Sequence, residues 1–346
     1  MTPRDRLMIA AQLKEPDQVP VTFLRSSYDA TRIELNVKEY IFDYKKKLSA
    51  QIKLHERFPD CAFVPSINPD FGIVPEASGF GAEIIYYEKG PPMNHTIINE
   101  VEQIDNLKVP DPHIDGLLPK VLEAYKYLIE NTPSQYQVDP AAIRGPMDLA
   151  TAIRGVAPFL SDMYRNPEYV HKLMNITTQT EINYMKAMDE VSGGSEIMFM
   201  CDDIPGLISP KFFNEFAQPY MKKIFDSFKG KVKFYHNCKN SMHILEALVE
   251  TGFQVFNFSF ENNLEETKKR IGKKICLMGN VEPIGIFHTA KPHEIEDICK
   301  SQIETAAPEG AYTLSVGAAV YGPDSSMQAM INAAQKYGKY PIRKNR

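Results

Sequence analysis

Short apolar runs alternate with longer segments of helical period along the second half of the chain. Between the runs, apolar residues repeat every three to four positions, which is typical of amphipathic helices, while the runs have the length and composition of buried strands. The predicted strands are 196–201, 232–238, 253–260, 275–281 and 312–320, and the predicted helices are 210–228, 241–251, 264–271, 292–306 and 325–337. This alternation predicts parallel strands joined by right-handed helical crossovers.

The first half of the chain is less regular and contains three further candidate strands, at 19–23, 62–64 and 135–138. Eight strands favour an α/β protein with a closed (β/α)8 TIM barrel. Barrels of this kind run from about 200 to over 400 residues, so all of residues 1–346 are expected to form a single domain. An open doubly wound sheet is the alternative, but no G-x-G-x-x-G turn follows a strand.

A Gly- and Pro-rich segment at about 71–111 is too long for a simple connection. We expect it to be an insertion that covers the C-terminal mouth of the barrel.

The composition narrows the function classes. The chain carries 39 Lys and Arg against 44 Asp and Glu, a net charge of −5, without a basic block, so nucleic acid is not an expected partner. No apolar stretch approaches the roughly 18 residues of a spanning helix, and the N-terminus lacks the apolar run of a signal peptide, so no membrane association is expected. Five scattered cysteines, an odd number, predict reduced thiols and a cytoplasmic protein.

Polar residues that close apolar strands are the first candidates for chemistry, because a parallel barrel carries its active site at the C-terminal strand ends. His236 and Cys238 are two positions apart in such a strand and therefore share a face. Imidazole and thiolate together suit zinc. The alternative is a core cysteine beside a hydrogen-bonded histidine.

The next strand places Asn257, Ser259 and Glu261 on one face and phenylalanines on the other. With the polar set toward the lumen, Glu261 would lie at the rim beside the metal pair and serve as a third ligand, and Asn257 is a candidate catalytic residue. The alternative for Glu261 is a solvated loop position.

A third strand ends in Cys201-Asp202-Asp203, whose adjacent carboxylates point in opposite directions if the strand continues. Asp202 and Asp203 are candidate catalytic residues, as a ligand, a proton relay or a partner of His236. The alternative is capping of the helix that begins near Pro205.

Six motifs follow one another between residues 145 and 317. They are Gly145-Pro146-Met-Asp-Leu-Ala with Arg154-Gly155, Asn166-Pro167-Glu-Tyr-Val, Asp202-Asp203 with Ser209-Pro210-Lys-Phe-Phe-Asn-Glu-Phe and Pro219-Tyr220, His236-Asn-Cys238, Gly279-Asn280-Val-Glu-Pro283, and Leu314-Ser315-Val-Gly317. As a set, and with weaker similarity in residues 4–21, they resemble the uroporphyrinogen decarboxylase superfamily, in particular its zinc-dependent, corrinoid-linked methyltransferases. The resemblance implies a (β/α)8 barrel with its pocket at the C-terminal mouth.

Two branches of the superfamily compete. The porphyrinogen decarboxylases need no metal and hold the propionates of their substrate with an arginine-rich N-terminal stretch, whereas the matching region here contains only Arg25. The methyltransferases carry His-x-Cys and a distant cysteine as three zinc ligands. His236 and Cys238 match the first two, so the resemblance favours this branch.

The family's third ligand is not matched, because the distant cysteine would fall near Ala318. An oxygen ligand is expected in its place, Glu261 ahead of Asp203 and Asp202. Thiol-activating methyltransferases are expected to keep the cysteine, so its absence favours a first-step enzyme that moves a methyl group from a small methoxylated or methylated donor to the Co(I) of a corrinoid protein. An oxygen ligand makes zinc a harder Lewis acid, suited to an ether or phenolate oxygen.

The expected partner is a separate protein that carries the corrinoid, because the chain has no Asp-x-His-x-x-Gly signature for binding cobalamin itself. The chain is expected to be a monomer or a homodimer. The aromatic residues of the insertion either wall an aromatic substrate or pack in the core; they are Phe71, Phe80, Tyr86 and Tyr87. A metal-free decarboxylase, a methylcorrinoid:thiol methyltransferase and a relative that has lost its metal remain as alternatives.

Overall fold

A parallel sheet of eight strands forms the centre of the molecule. The structure is a computed structural model and describes residues 1–27, 29–88, 90–320 and 322–343. The strands are β1 (Val21–Leu24), β2 (Ala62–Val64), β3 (Ile84–Ile85), β4 (Met93–Asn94), β5 (Ile143–Arg144), β6 (Ile197–Cys201), β7 (Val232–Asn237), β8 (Val255–Phe258), β9 (Cys276–Met278) and β10 (Tyr312–Ser315). The sheet runs in the order β2-β1-β10-β9-β8-β7-β6-β5, while β3 and β4 form a separate antiparallel hairpin.

The two ends of this sheet meet through a parallel bridge between Ile67 and Val138. The amide of Ile67 donates to Gln137 O at 3.1 Å, and the amide of Asp139 donates to Ile67 O at 2.7 Å. The (β/α)8 barrel expected from the alternation of strands and helices is therefore confirmed.

Helices follow the strands and cover the outer face of the sheet. They are α1 (Pro3–Ala11), α2 (Asp29–Arg32), α3 (Val37–Phe42), α4 (Tyr44–Arg57), α5 (Pro75–Gly79), α6 (Leu118–Asn131), α7 (Pro146–Arg154), α8 (Val156–Arg165), α9 (Pro167–Ser192), α10 (Pro210–Phe212), α11 (Gln218–Asp226), α12 (Leu245–Val249), α13 (Leu264–Ile271), α14 (Ile286–Thr289), α15 (Pro292–Ala306) and α16 (Asp324–Tyr337). Two 3₁₀ helices occupy Val101–Asn106 and Ile204–Leu207. Within the described residues, no helix combines the length and apolarity needed to cross a membrane.

The predicted helix at 210–228 is interrupted rather than continuous. A π-helical turn at Phe213–Ala217 separates α10 from α11. Pro219 lies at the start of α11 and has no amide hydrogen to donate, which removes one of the usual helical hydrogen bonds at this point.

Side chains in the lumen form a small apolar core of their own. Alternate residues of the strands, such as Phe199, Phe234 and Val255, pack there with Leu7 and Ala10 of α1. The capping box between Thr2 and Asp5 fixes the start of this helix. Helix α1 therefore closes the N-terminal end of the barrel, and polar groups remain at the C-terminal end.

The insertion begins after β2 and lies at the C-terminal end of the barrel, as expected. Glu76 of α5 fills the seam between β5 and β2, where its Oε1 accepts a hydrogen bond of 2.9 Å from the amide of Arg144. On the hairpin, the side-chain Nδ2 of Asn94 donates to Ala152 O of α7 at 2.9 Å. A carboxylate thus satisfies a backbone N–H at the end of β5 that donates to no strand of the sheet.

The third strand was placed wrongly by the sequence pattern. Residues 135–138 contribute only the bridge at Val138, and the barrel strand is β5, at Ile143–Arg144. Gln135 and Gln137 are exposed, whereas Ile143 is buried against the helices.

Candidate metal centre

Three side chains from two neighbouring strand ends converge at the C-terminal mouth. Ligand atoms of Asp203, His236 and Cys238 all lie within 4.8 Å of one another. Asp203 follows β6, His236 lies in β7 and Cys238 follows it directly. The structure thus brings together two residues expected as zinc ligands and one expected as a catalytic residue.

Asn257 of β8 fixes the orientation and tautomer of His236. The Nδ2 amide of Asn257 donates to Met278 O at 2.9 Å and to Val316 O at 3.0 Å, so its Oδ1 must accept from the ring. Oδ1 lies 2.6 Å from His236 Nδ1. The proton of the neutral imidazole is therefore on Nδ1, and the lone pair on Nε2 is free to bind a metal.

Cys238 is held against Asp203 by two hydrogen bonds. Its amide donates to Asp203 Oδ1 at 2.6 Å, and its thiol donates to Oδ2 at 2.7 Å. Burial, and then the negative charge of Asp203, raise the pKa of the Cys238 thiol to about 12. A cation placed between the two groups would take the position of this proton, because both a thiolate and a carboxylate bind metals as anions.

The carboxylate of Asp203 is available because another residue caps the short helix Ile204–Leu207. Asp148 Oδ1 accepts hydrogen bonds of 2.9 Å from the amides of both Asp203 and Ile204. The side chain of Asp203 makes no capping bond to this helix. The capping interpretation of Asp203 is therefore wrong, and its carboxylate faces Cys238 instead.

Asp202 points away from this group, toward the start of α7. Its carboxylate accepts hydrogen bonds from the amides of Asp148, at 2.9 Å, and Met147, at 3.4 Å. Burial, followed by the charge of Asp148, raises its pKa well above the usual range. The two adjacent carboxylates have different partners, Asp202 at the start of α7 and Asp203 at Cys238, although β6 ends at Cys201 and its alternation does not extend to them.

Glu261 is not brought to the pair. It lies in an exposed turn, where its amide donates to Ser259 Oγ at 3.2 Å, and it is not part of the converging group. Strand β8 ends at Phe258, so the alternation that aimed Glu261 inward does not extend to it. The oxygen ligand that the structure offers beside His236 and Cys238 is Asp203.

Two residues near the site carried no role in the sequence analysis. Asp148, which belongs to the motif that begins at Gly145, links Asp202 to Asp203 through backbone hydrogen bonds. Arg144 directly precedes that motif and ends β5. A polar residue at the end of a strand is the sequence feature that could have identified Arg144 as a candidate site residue.

Two aromatic residues of the insertion, Phe71 and Tyr86, pack on aromatic residues of α3 and α4. Phe71 is buried, with ring contacts to Phe42 and Tyr44, and Tyr86 also packs on Phe42. These contacts fit the core-packing alternative for Phe71 and Tyr86.

Comparison with known proteins places this site in a family context. The family described as uroporphyrinogen decarboxylase (URO-D) matches residues 2–337. A uroporphyrinogen decarboxylase from Aliivibrio salmonicida is 26% identical over 357 residues, covering 96% of each chain. The methylcobamide:CoM methyltransferase MtbA from Methanosarcina mazei is 24% identical over 343 residues, covering 97% of this chain and 98% of that protein.

The same fold occurs in a solved structure of a methyltransferase from Methanosarcina mazei. The TM-score is 0.83 at 21% sequence identity, and the match covers 97% of this chain and 99% of that one. The matched length, the barrel and the order of the motifs agree, and the chain belongs to the uroporphyrinogen decarboxylase family.

Proposed function

We propose that this chain is a methyltransferase that moves a methyl group from a small methoxylated or methylated donor to the Co(I) corrinoid of a partner protein, with Zn²⁺ at the mouth of the barrel. The observation that carries the proposal is the convergence of Asp203, His236 and Cys238.

The residues at the mouth fit zinc. Nitrogen, sulfur and carboxylate oxygen are its usual protein ligands, and catalytic zinc sites combine three protein ligands with one open position. Asn257 leaves Nε2 of His236 unprotonated, and the thiol of Cys238 and the carboxylate of Asp203 are already adjacent. When bound, zinc would supply a Lewis acid that draws electron density from the donor oxygen.

Two side chains orient the residues proposed to bind zinc. Asn257 holds the imidazole, while Asp148 holds the backbone of Asp203 so that its carboxylate faces Cys238. The apolar lumen below the site, with Phe199 and Phe234, keeps bulk water away from the reacting groups. Asp203 and Cys238 are only half-buried, which leaves the site open toward the mouth.

The relatives support both a methyltransferase and a decarboxylase. Proteins named uroporphyrinogen decarboxylase and proteins named methylcobamide:CoM methyltransferase match at similar identity and coverage. The ligand group at Asp203, His236 and Cys238 favours the methyltransferase, since the decarboxylase reaction expected from the family needs no metal. A metal-free decarboxylase is the second candidate.

The proposal is tested by incubating zinc-loaded enzyme with reduced corrinoid protein and a panel of methoxyarenes, methanol and methylated amines. One donor class should produce the absorbance of methylcobalamin, and metal analysis should give about one zinc per chain. A methylcorrinoid with an added thiol tests the reverse type of reaction. If no donor methylates cobalt while a porphyrinogen or another carboxylate releases carbon dioxide, the decarboxylase is correct.

Replacing Asn257 with alanine should weaken zinc binding without removing a ligand. The imidazole loses the acceptor that fixes its tautomer and orientation, and such changes lower metal affinity about 10- to 100-fold. Competition with a chromogenic chelator measures the effect.

The matched control is Asn262→Ala. Asn262 is equally buried and hydrogen-bonds Ser241, away from His236. Equal zinc affinity in the two variants would contradict a specific role for Asn257.

A further inference from the structure

We propose that Arg144 binds an anionic group of the substrate, a carboxylate, at the rim of the barrel, on the strand next to the one that leads to Asp203. The inference deepens the proposed function, on which it rests for the identity of the substrate as a methyl donor. It assigns the donor to a chemical class, small methylated or methoxylated carboxylic acids.

The strand register places Arg144 on the same face as the metal site. Arg144 pairs with Cys201, Cys201 with His236, and His236 with Asn257. Residues paired in this way in a parallel sheet project to one side, and here that side is the lumen, because Ala142 two positions earlier packs with the lumen residues. Arg144 therefore ends its strand on the inner face of the mouth.

The guanidinium of Arg144 lacks the partners that a buried arginine needs. The residue is 8% exposed, and its Nε is buried without a hydrogen-bond partner. Among the described residues, no carboxylate lies within ion-pair distance of it. Its Nη1 donates a long hydrogen bond of 3.4 Å to Asn94 Oδ1.

Three carboxyl groups interact electrostatically with Arg144, those of Glu76, Asp148 and Glu181; the two glutamates are buried and Asp148 is half-buried. Glu76 Oε1 accepts a hydrogen bond from the backbone amide of Arg144, and both carboxyl oxygens of Glu181 are buried without a hydrogen-bond partner. Burial raises the pKa of Glu76 and raises that of Glu181 well above the usual range, which favours their neutral forms. A positive charge in such surroundings is stabilised by an anion that it can hydrogen-bond.

Arginine suits a carboxylate in particular. Its planar guanidinium donates two parallel hydrogen bonds to the two carboxylate oxygens, which fixes both position and orientation of the ligand. Arg25, the other arginine at the mouth with buried unpaired nitrogens, already has an ion pair of 3.2 Å with Asp29. Arg144 is thus the better candidate for binding a free anion.

The spacing fits a donor that bridges the two groups. Arg144 is two strands away from His236, roughly 10 Å between backbones at the usual strand separation. A separation of this order can be bridged by a small molecule that carries the carboxylate at one end and the methylated oxygen at the other.

The experiment measures ligand binding separately from methyl transfer. Zinc-loaded wild-type enzyme is titrated calorimetrically with two size-matched pairs of probes that differ in charge: 4-methoxybenzoate against 4-methoxybenzyl alcohol, and methoxyacetate against 2-methoxyethanol. At least one carboxylate should bind about tenfold or more tightly than its neutral counterpart, the usual effect of a hydrogen bond to a charged group. Equal or weaker binding of both carboxylates overturns the inference, with no variant needed.

Variants then locate the effect. Arg144→Gln should lose about tenfold or more in affinity for the carboxylate and leave that for the alcohol unchanged, and Arg144→Lys should retain part of the affinity. Arg165→Gln, at an exposed position of α8, is the matched control and should bind like wild type. Unchanged carboxylate affinity in both Arg144 variants overturns the inference.

Failure of the proposed function gives a different result. If carboxylate binding depends on Arg144 but no donor methylates cobalt(I), the anion site stands and the methyltransferase proposal falls. If carboxylate donors methylate cobalt(I) with the same kcat/KM in wild type and Arg144→Gln, the methyltransferase stands and the inference about Arg144 falls.

Discussion

The variant Cys238→Ala is expected to lose most of its bound zinc. The thiolate is the softest of the three proposed ligands, and its loss leaves only His236 and Asp203 at the mouth. Mutations of residues that only orient the ligands already lower metal affinity about 10- to 100-fold. Loss of a ligand should therefore lower zinc affinity at least about tenfold. In enzyme loaded with Co²⁺, the thiolate-to-cobalt charge-transfer absorption should disappear as well, which reports on the sulfur ligand directly.

The control for this variant is Cys201→Ala. Cys201 lies on the neighbouring strand, in register with His236, but is not part of the converging group. It should keep the zinc and the charge-transfer band. Unchanged zinc stoichiometry in Cys238→Ala and also in His236→Ala would rule out this metal site.

A methyl group added at Gly145 is expected to destabilise the protein strongly. The backbone there has φ −69°, which any residue adopts, so strain in the backbone is not the reason. The new Cβ would overlap the side chain of Asp202, which is buried and cannot move freely. Overpacking of this kind costs up to about 3 kcal/mol of unfolding free energy, measured by denaturant titration.

Gly145→Ala should also weaken zinc binding, since displacement of Asp202 disturbs Asp148 and through it the backbone of Asp203. The control is Gly90→Ala, where the nearest atom to the added Cβ is Tyr87 Cβ at 3.7 Å, an ordinary contact. If Gly145→Ala is as stable as wild type and holds zinc equally well, the tight packing of Asp202 against β5 is not what supports the site.

Most strands could be predicted because they are long enough to show a pattern. The strands from β6 onward were located within a few residues, and the helices α13 and α15 with the observed bounds. Strand β5 was not predicted because it has only two residues, too few to show any periodicity. The alternating residues at 135–138, close by in the sequence, were predicted as the strand instead. The prediction failed where the local pattern was short.

The proposed metal pair was accessible to sequence reasoning, which placed the third residue of the converging group, Asp203, behind Glu261 as a candidate ligand. His236 and Cys238 are neighbours on one strand, so their shared face follows from the period of two. Asp203 was undervalued because a local capping role could explain it. The residue that takes over that role, Asp148, lies 55 positions away in the chain, and no local pattern connects the two.

Helix α1 gives the proposed reaction an order. Leu7 and Ala10 pack against the lumen residues at the N-terminal end of the barrel, so in the part of the chain that the structure describes the proposed site opens at the C-terminal mouth. A corrinoid protein docked on that mouth, as we propose, would cover the small molecule beneath it. The donor would then bind before the corrinoid protein, and the demethylated product would leave after it.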